Sequence, residues 1–142
     1  MKTSKEILSS ITKTAQMGQT GIRSVMKYAQ NKALRQALQS QLGEYNMIEQ
    51  EALSIAQQRG WEIEQLDPML KLMSKTYAKT NLMFGNTDSR IAAMMINGNT
   101  KGVVKGIKNR HHGNRSDLKI DKLGEKLLSF ENANIQQMQE YL

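Results

Sequence analysis

Apolar residues recur at Ile7, Ile11, Ala15, Gly18, Ile22, Val25 and Ala29, and Leu8 and Met26 widen the stripe. Steps of three and four residues place these positions on one face of an α-helix. Thr3 followed by Glu6 has the form of a capping box, which predicts that this first helix begins there, with Asn31 at its boundary with the next. A second stripe runs through Leu34, Leu38, Gln41, Tyr45, Ile48, Ala52 and Ile55 at the same period. It predicts a second helix reaching about Arg59, stopped by Gly60 as a C-terminal cap, with Trp61 folded back onto the bundle end. Asp67-Pro68 supplies a capping aspartate and a first-turn proline for a short helix. That helix carries Met69, Leu70, Leu72, Met73, Tyr77 and Leu82, with Lys71, Lys75 and Lys79 on its outer face, and Phe84-Gly85-Asn86 ends it. Thr87 or Asp88 opens a third long helix through Ile91, Met94, Met95, Val103 and Ile107, followed by a loop from His111 to Arg115. Ser116 and Asp117 open a fourth, with Leu123, Leu127, Phe130, Asn134, Met138 and Tyr141 inward.

No strand-like alternation or internal repeat interrupts this pattern. Four long amphipathic helices with a short connecting helix predict one all-α helical-bundle domain over residues 1–142. That length suits one domain with a core that needs no staples. Composition sharpens the expectation. The chain has no cysteine, which excludes disulfides, thiolate metal sites and cysteine nucleophiles. Its 10 methionines, one proline and two phenylalanines suit an adaptable helical core. No run approaches the roughly 18 apolar residues of a membrane span, and the first residues lack the layout of a secretory signal. The expected location is cytoplasmic.

The order of elements and two local segments resemble the ferritin-like superfamily, in particular small bacterial members related to spore-coat proteins. The local segments are Gly60-Trp61 and the stretch Asp88 to Val103, DSRIAAMMINGNTKGV. The resemblance implies a ferritin-like four-helix bundle with a short helix in the B–C crossover, and a spore-associated setting. Ferritin-like enzymes hold two metal ions with one glutamate from each of two helices and Glu-x-x-His from each of the other two. Here Glu44, Glu49 and Glu51 lack a histidine at the required spacing, and Glu131 is followed by Asn134 in its place. The first long helix offers only Glu6 and the third only Asp88, while His111 and His112 fall in the predicted loop. The expected site is therefore degenerate, with Glu44, Glu131 and Asn134 as remnants and no cofactor.

Gln41, Tyr45 and Asn134 occupy inward positions and admit two readings: a polar cavity for a small ligand, or a hydrogen-bond network that fixes helix register. Gly98, Gly102 and Gly106 lie four apart on one helix face, where each glycine costs about 1 kcal/mol relative to alanine. Close backbone approach would compensate, either against a second chain or inside one bundle, with Gly18 and Gly21 as counterparts.

Net charge is +7 and unevenly placed. Lys101, Lys105, Lys108, Arg110, Arg115, Lys119 and Lys122 are opposed only by Asp117 and Asp121, whereas acids dominate from Glu44 to Asp67. Such asymmetry permits a polyanionic partner or self-association. The sequence thus predicts a non-catalytic structural or interaction protein that forms a homodimer. A metal-dependent oxidase or store with an unusual site, and a weak binder of nucleic acid or anionic surfaces through residues 101–122, are the alternatives.

Overall fold

The computed structural model of the chain describes residues 1–82 and 85–142. Among the described residues five α-helices follow in order: α1 (Ser4–Val25), α2 (Lys32–Gln58), α3 (Pro68–Asn81), α4 (Thr87–His112) and α5 (Leu118–Gln139), with a 3-10 turn at Met26–Tyr28 after α1. Among the described residues there is no strand, only a single bridge between Lys2 and Gly113.

The helix boundaries follow from local chemistry. At α1 the Thr3 hydroxyl accepts from the Glu6 N–H at 3.1 Å and the Glu6 carboxylate accepts from the Thr3 N–H at 2.7 Å, which completes the capping box. The Asn31 side chain accepts from the N–H groups of Ala33 and Leu34 to open α2. Gly60 takes φ +66° just past its end, where a side chain would be strained. Trp61 folds back as expected, its N–H donating to Ala56 at 2.9 Å, with the Arg59 guanidinium 5.0 Å from its ring centre. Asp67 caps α3 through Met69 N–H, and Pro68 stands in the first turn. Phe84 lies outside the described residues, as do the side chains of Lys71 and Leu72.

Two local expectations are corrected, the loop at His111–His112 and the orientation of Ile107. α4 continues through His111 and His112, which stand in its last turn rather than in a loop. The Lys2 N–H donates to the His112 carbonyl at 2.7 Å and so satisfies one of the acceptors a helix end leaves open. α4 starts at Thr87 as expected, with Asp88 in its first turn. The Asp88 carboxylate accepts from the N–H groups of Gln30 and Asn31 at 2.8 and 3.0 Å, tying the start of α4 to the α1–α2 turn. Ile107, expected inward, is 42% exposed. The inward face of α4 beyond Met95 runs instead through Asn99, Gly102, Gly106 and Asn109, small or polar positions that an apolar pattern does not mark.

These ties set the topology. Lys2 and Ser10 of the N-terminal end meet Asn109 near the end of α4. Arg59 at the end of α2 forms a two-pronged ion pair with Asp117 at the start of α5, at 2.5 and 3.0 Å. The pairs α1–α2 and α4–α5 pack most extensively, α1 also borders α4, and α2 borders α5. Neighbouring helices are thus antiparallel around a four-helix bundle. The connection that follows α2 includes α3, which packs on α1. Leu8, Ile22, Leu34, Leu38, Ile91, Ile120, Leu123 and Met138 are all but fully enclosed between the four long helices. Each aliphatic side chain so buried contributes about 1.5–3 kcal/mol.

Candidate functional site

Midway along the bundle the apolar core gives way to a polar cluster. Tyr45 of α2, Asn99 of α4 and Glu131 of α5 are 2%, 1% and 1% exposed. The Tyr45 hydroxyl lies 2.6 Å from Asn99 Oδ1 and 3.1 Å from Glu131 Oε2. Two glycines make this possible. A Cβ at Gly18 would stand 2.5 Å from the Tyr45 ring, and one at Gly102 would fall on the Glu131 carboxyl group. Phe130 closes the other side of the phenol, edge-on at 4.7 Å between ring centres.

Burial pushes the Glu131 carboxyl up to about 7, although the Tyr45 hydroxyl draws it back down. Tyr45 is raised as well, first by burial and then by the Glu131 charge. The geometry agrees with a neutral carboxyl. A phenol carries one proton and cannot donate to two acceptors at full strength. If Tyr45 donates to Asn99 Oδ1, the second contact is satisfied when protonated Glu131 donates to the phenol oxygen. That arrangement leaves one donor and one acceptor over. Asn99 Nδ2 and Glu131 Oε1 are fully enclosed and have no hydrogen-bond partner among the described residues.

Of the remnant metal candidates, Glu131 is at the centre of the bundle and Asn134, also buried, is one turn along α5. Glu44 is exposed and borders an open groove between α2 and α5 with Gln41 and Asn134. Gln41 donates to the Gln137 side chain at 2.9 Å, while its own Oε1 and Asn134 Nδ2 lack partners among the described residues. No group of three or more His, Asp or Glu that could hold a metal ion occurs among the described residues. Glu49 turns toward α1, where it accepts from Gln16 and Gln19 at 2.8 and 2.9 Å. Asn99 and Gln19 escaped the sequence reading, because an amide in a helix carries no signal of whether it faces in or out.

The glycine row does not act as one surface. Gly102 accommodates Glu131, a Cβ at Gly106 would make ordinary contact with Leu128 at 3.5 Å, and a Cβ at Gly98 would meet nothing within 4 Å. Gly98 instead borders a cleft of about 510 Å³ between α1, the connection into α3, and α4, reached by Asn99, Glu131 and Tyr45 from within. The basic segment divides too. Arg110 pairs with Glu125 and Asp121, and Arg115 with Asp121. Lys101, Lys105 and Lys108 form no ion pair among the described residues, and Lys101 and Lys105 border the cleft.

The fold and this interior define an all-α helical-bundle protein, in which no described helix is long and apolar enough to cross a membrane. No protein-family model and no curated protein matches the chain. Among solved structures it is similar to the crystal structure of a DUF305 fragment from Deinococcus radiodurans, with a TM-score of 0.76 over 96% of this chain and 93% of that one. At 10% identity the likeness is one of fold.

Proposed function

We propose that the protein is a non-catalytic interaction protein built on a ferritin-like bundle whose metal centre is degenerate. The observation that carries this reading is the central cluster. Where a dinuclear centre requires several ionised carboxylates facing one another, this bundle has Glu131 with its proton affinity raised, bonded to a phenol beside an amide. The antiparallel order of neighbouring helices and the long α2–α4 crossover support the ferritin-like part. Anaerobic titration of the purified protein with Fe(II) and with Mn(II), followed by equilibrium dialysis and oxygen uptake, tests it. The expected result is no stoichiometric retention of either metal. Two ions held per chain, and lost in Glu131→Ala, would overturn the reading in favour of an oxidase or store.

The interaction half rests on α3. Met69, Met73 and Tyr77 are 67%, 60% and 57% exposed, and Met17 of α1 stands nearby at 41%. Methionine and tyrosine are enriched in protein interfaces. The partner we propose is a second copy of the chain, as a homodimer, and the spore-coat resemblance fits such assembly. Sedimentation equilibrium at low salt should show a concentration-dependent dimer that Met73→Lys weakens. A strict monomer at high micromolar concentration contradicts self-association.

A further inference from the structure

We propose that the cleft between α1 and α4 is a binding site for a planar heterocycle that carries a phosphate or carboxylate, seated with an amide-like edge on Asn99 and Glu131. The site shares Glu131 with the central cluster and Met17 and Leu70 with the surface around α3, but its test reads ligand binding, which neither metal retention nor dimerisation reports. Its volume, about 510 Å³, lies within the range that encloses small organic ligands.

The chemistry of each part selects the ligand class. The inner end is polar and incompletely satisfied. Asn99 and Glu131 line it, and their Nδ2 and Oε1 atoms, enclosed and without partners among the described residues, are the donor and acceptor that a ligand reaches by a small shift of these side chains. A buried polar group left unpaired keeps an uncompensated desolvation penalty, so a ligand that presents an acceptor beside a donor recovers that loss. The walls are mostly apolar. Gly21 and Gly98 contribute bare backbone, with open space where their Cβ atoms would be. Met17, Met94, Met95 and Leu70 contribute deformable apolar surface, and thioethers make favourable contacts with aromatic rings. The rim is cationic: Lys101 and Lys105 form no ion pair among the described residues, while Lys13 is held by Glu64. The Gln16 side chain fixes the connecting segment over the cleft by accepting from the Leu66 N–H at 2.8 Å.

An amide-edged ring with an anionic substituent satisfies all three zones at once. A fatty acid does not. With its carboxylate at the lysines, its tail would end against the unpaired Asn99 and Glu131 groups, and reversed, its tail would lie at the charged rim. Gly98 thereby gains an account: a side chain there would occupy the ring's place.

Flavin mononucleotide and uridine monophosphate are suitable probes, since both join an N–H beside a ring carbonyl to a phosphate. Equilibrium dialysis and fluorescence titration should show saturable one-to-one binding of at least one of them. Gly98→Leu should weaken that binding by about tenfold or more without lowering the melting temperature, because its side chain enters open space; Gly21→Leu fills the opposite wall and serves if the first variant folds poorly. Charge reversal, Lys101→Glu with Lys105→Glu, should weaken flavin mononucleotide more than riboflavin, which lacks the phosphate. Absence of saturation by both probes up to about 1 mM, affinity untouched by filling the cleft, or binding of laurate with neither probe would each overturn the proposal.

Discussion

Replacing Glu131 by glutamine changes one thing above all, the free energy of holding a titratable group at the bundle centre. Glutamine keeps the shape and a carbonyl acceptor, and its amide can donate to the Tyr45 oxygen as the protonated carboxyl does. The Glu131 carboxyl has a pKa of about 7 in the fold against 4.5 without burial. Between those values the native state holds a proton that the unfolded state has released, so wild-type stability falls as pH rises through that window. The shift of about 2.5 corresponds to about 3 kcal/mol at 1.36 kcal/mol per pKa unit. Below pH 4.5 the carboxyl is neutral in both states and Glu131→Gln should match the wild type closely. Above pH 7 the variant should be the more stable by about 3 kcal/mol. Groups lowered by partners, such as Asp117 beside Arg59 and Glu64 beside Lys13, lose stability only as pH falls, and they cancel in the comparison. Urea unfolding followed by circular dichroism at 222 nm, at pH steps from 4 to 8.5, measures the difference directly. A difference that stays flat across this range, or a variant less stable than wild type at pH 8, would show that the carboxyl is not held neutral by burial.

The glycines of α4 should separate sharply in thermal melts. Gly102→Ala, whose Cβ falls on Glu131, is expected to destabilise by about 1–3 kcal/mol through overpacking, whereas Gly98→Ala should stabilise by about 0.5–1 kcal/mol. Equal effects at the two positions would contradict the packing described. Tyr45→Phe removes the hydroxyl shared by Asn99 and Glu131 and should cost about 1–3 kcal/mol, and a neutral result in denaturant titration would mean that water replaces it without loss. Asp88→Ala deprives two backbone N–H groups of a charged acceptor and should cost about 1.5–3 kcal/mol, with amide exchange accelerated at Gln30 and Asn31 as the local signature.

Much of this fold is legible in the chain because its helices announce their ends. Thr3-Glu6, Asn31, Gly60 and Asp67-Pro68 each act within a few residues, and short-range chemistry survives the absence of tertiary information. The stripes of α1 and α2 were legible too, being apolar from end to end apart from Gln41 and Tyr45. The second half of α4 was not. Its partners Glu131 and Leu128 project from α5 into space vacated by Gly102 and Gly106, so the inward face carries the small residues and Ile107 faces solvent. Periodicity of apolar side chains records which face is greasy, and at a glycine contact the two faces exchange roles. The cluster was half visible: Tyr45 and Asn134 interrupt apolar stripes, but nothing local shows that Asn99 meets Tyr45 from a helix 54 positions away. His111 and His112 read as loop residues although Gly113, directly after them, is the residue at which α4 ends, and the Lys2 N–H that satisfies the His112 carbonyl comes from the other end of the chain.

The long crossover divides the chain into two helical hairpins, α1–α2 and α4–α5, each closed by a short connection and each able to form its contacts early. Tyr45 belongs to the first hairpin, and Asn99 and Glu131 to the second. Their hydrogen bonds arise only once the hairpins dock and water has left the seam between them. Interactions of this kind are absent from a transition state in which the hairpins are formed but apart, and changes to them act chiefly on the rate of unfolding. With that order of events the central cluster is a latch, one that sets how long the assembled bundle stays closed more than how quickly it closes.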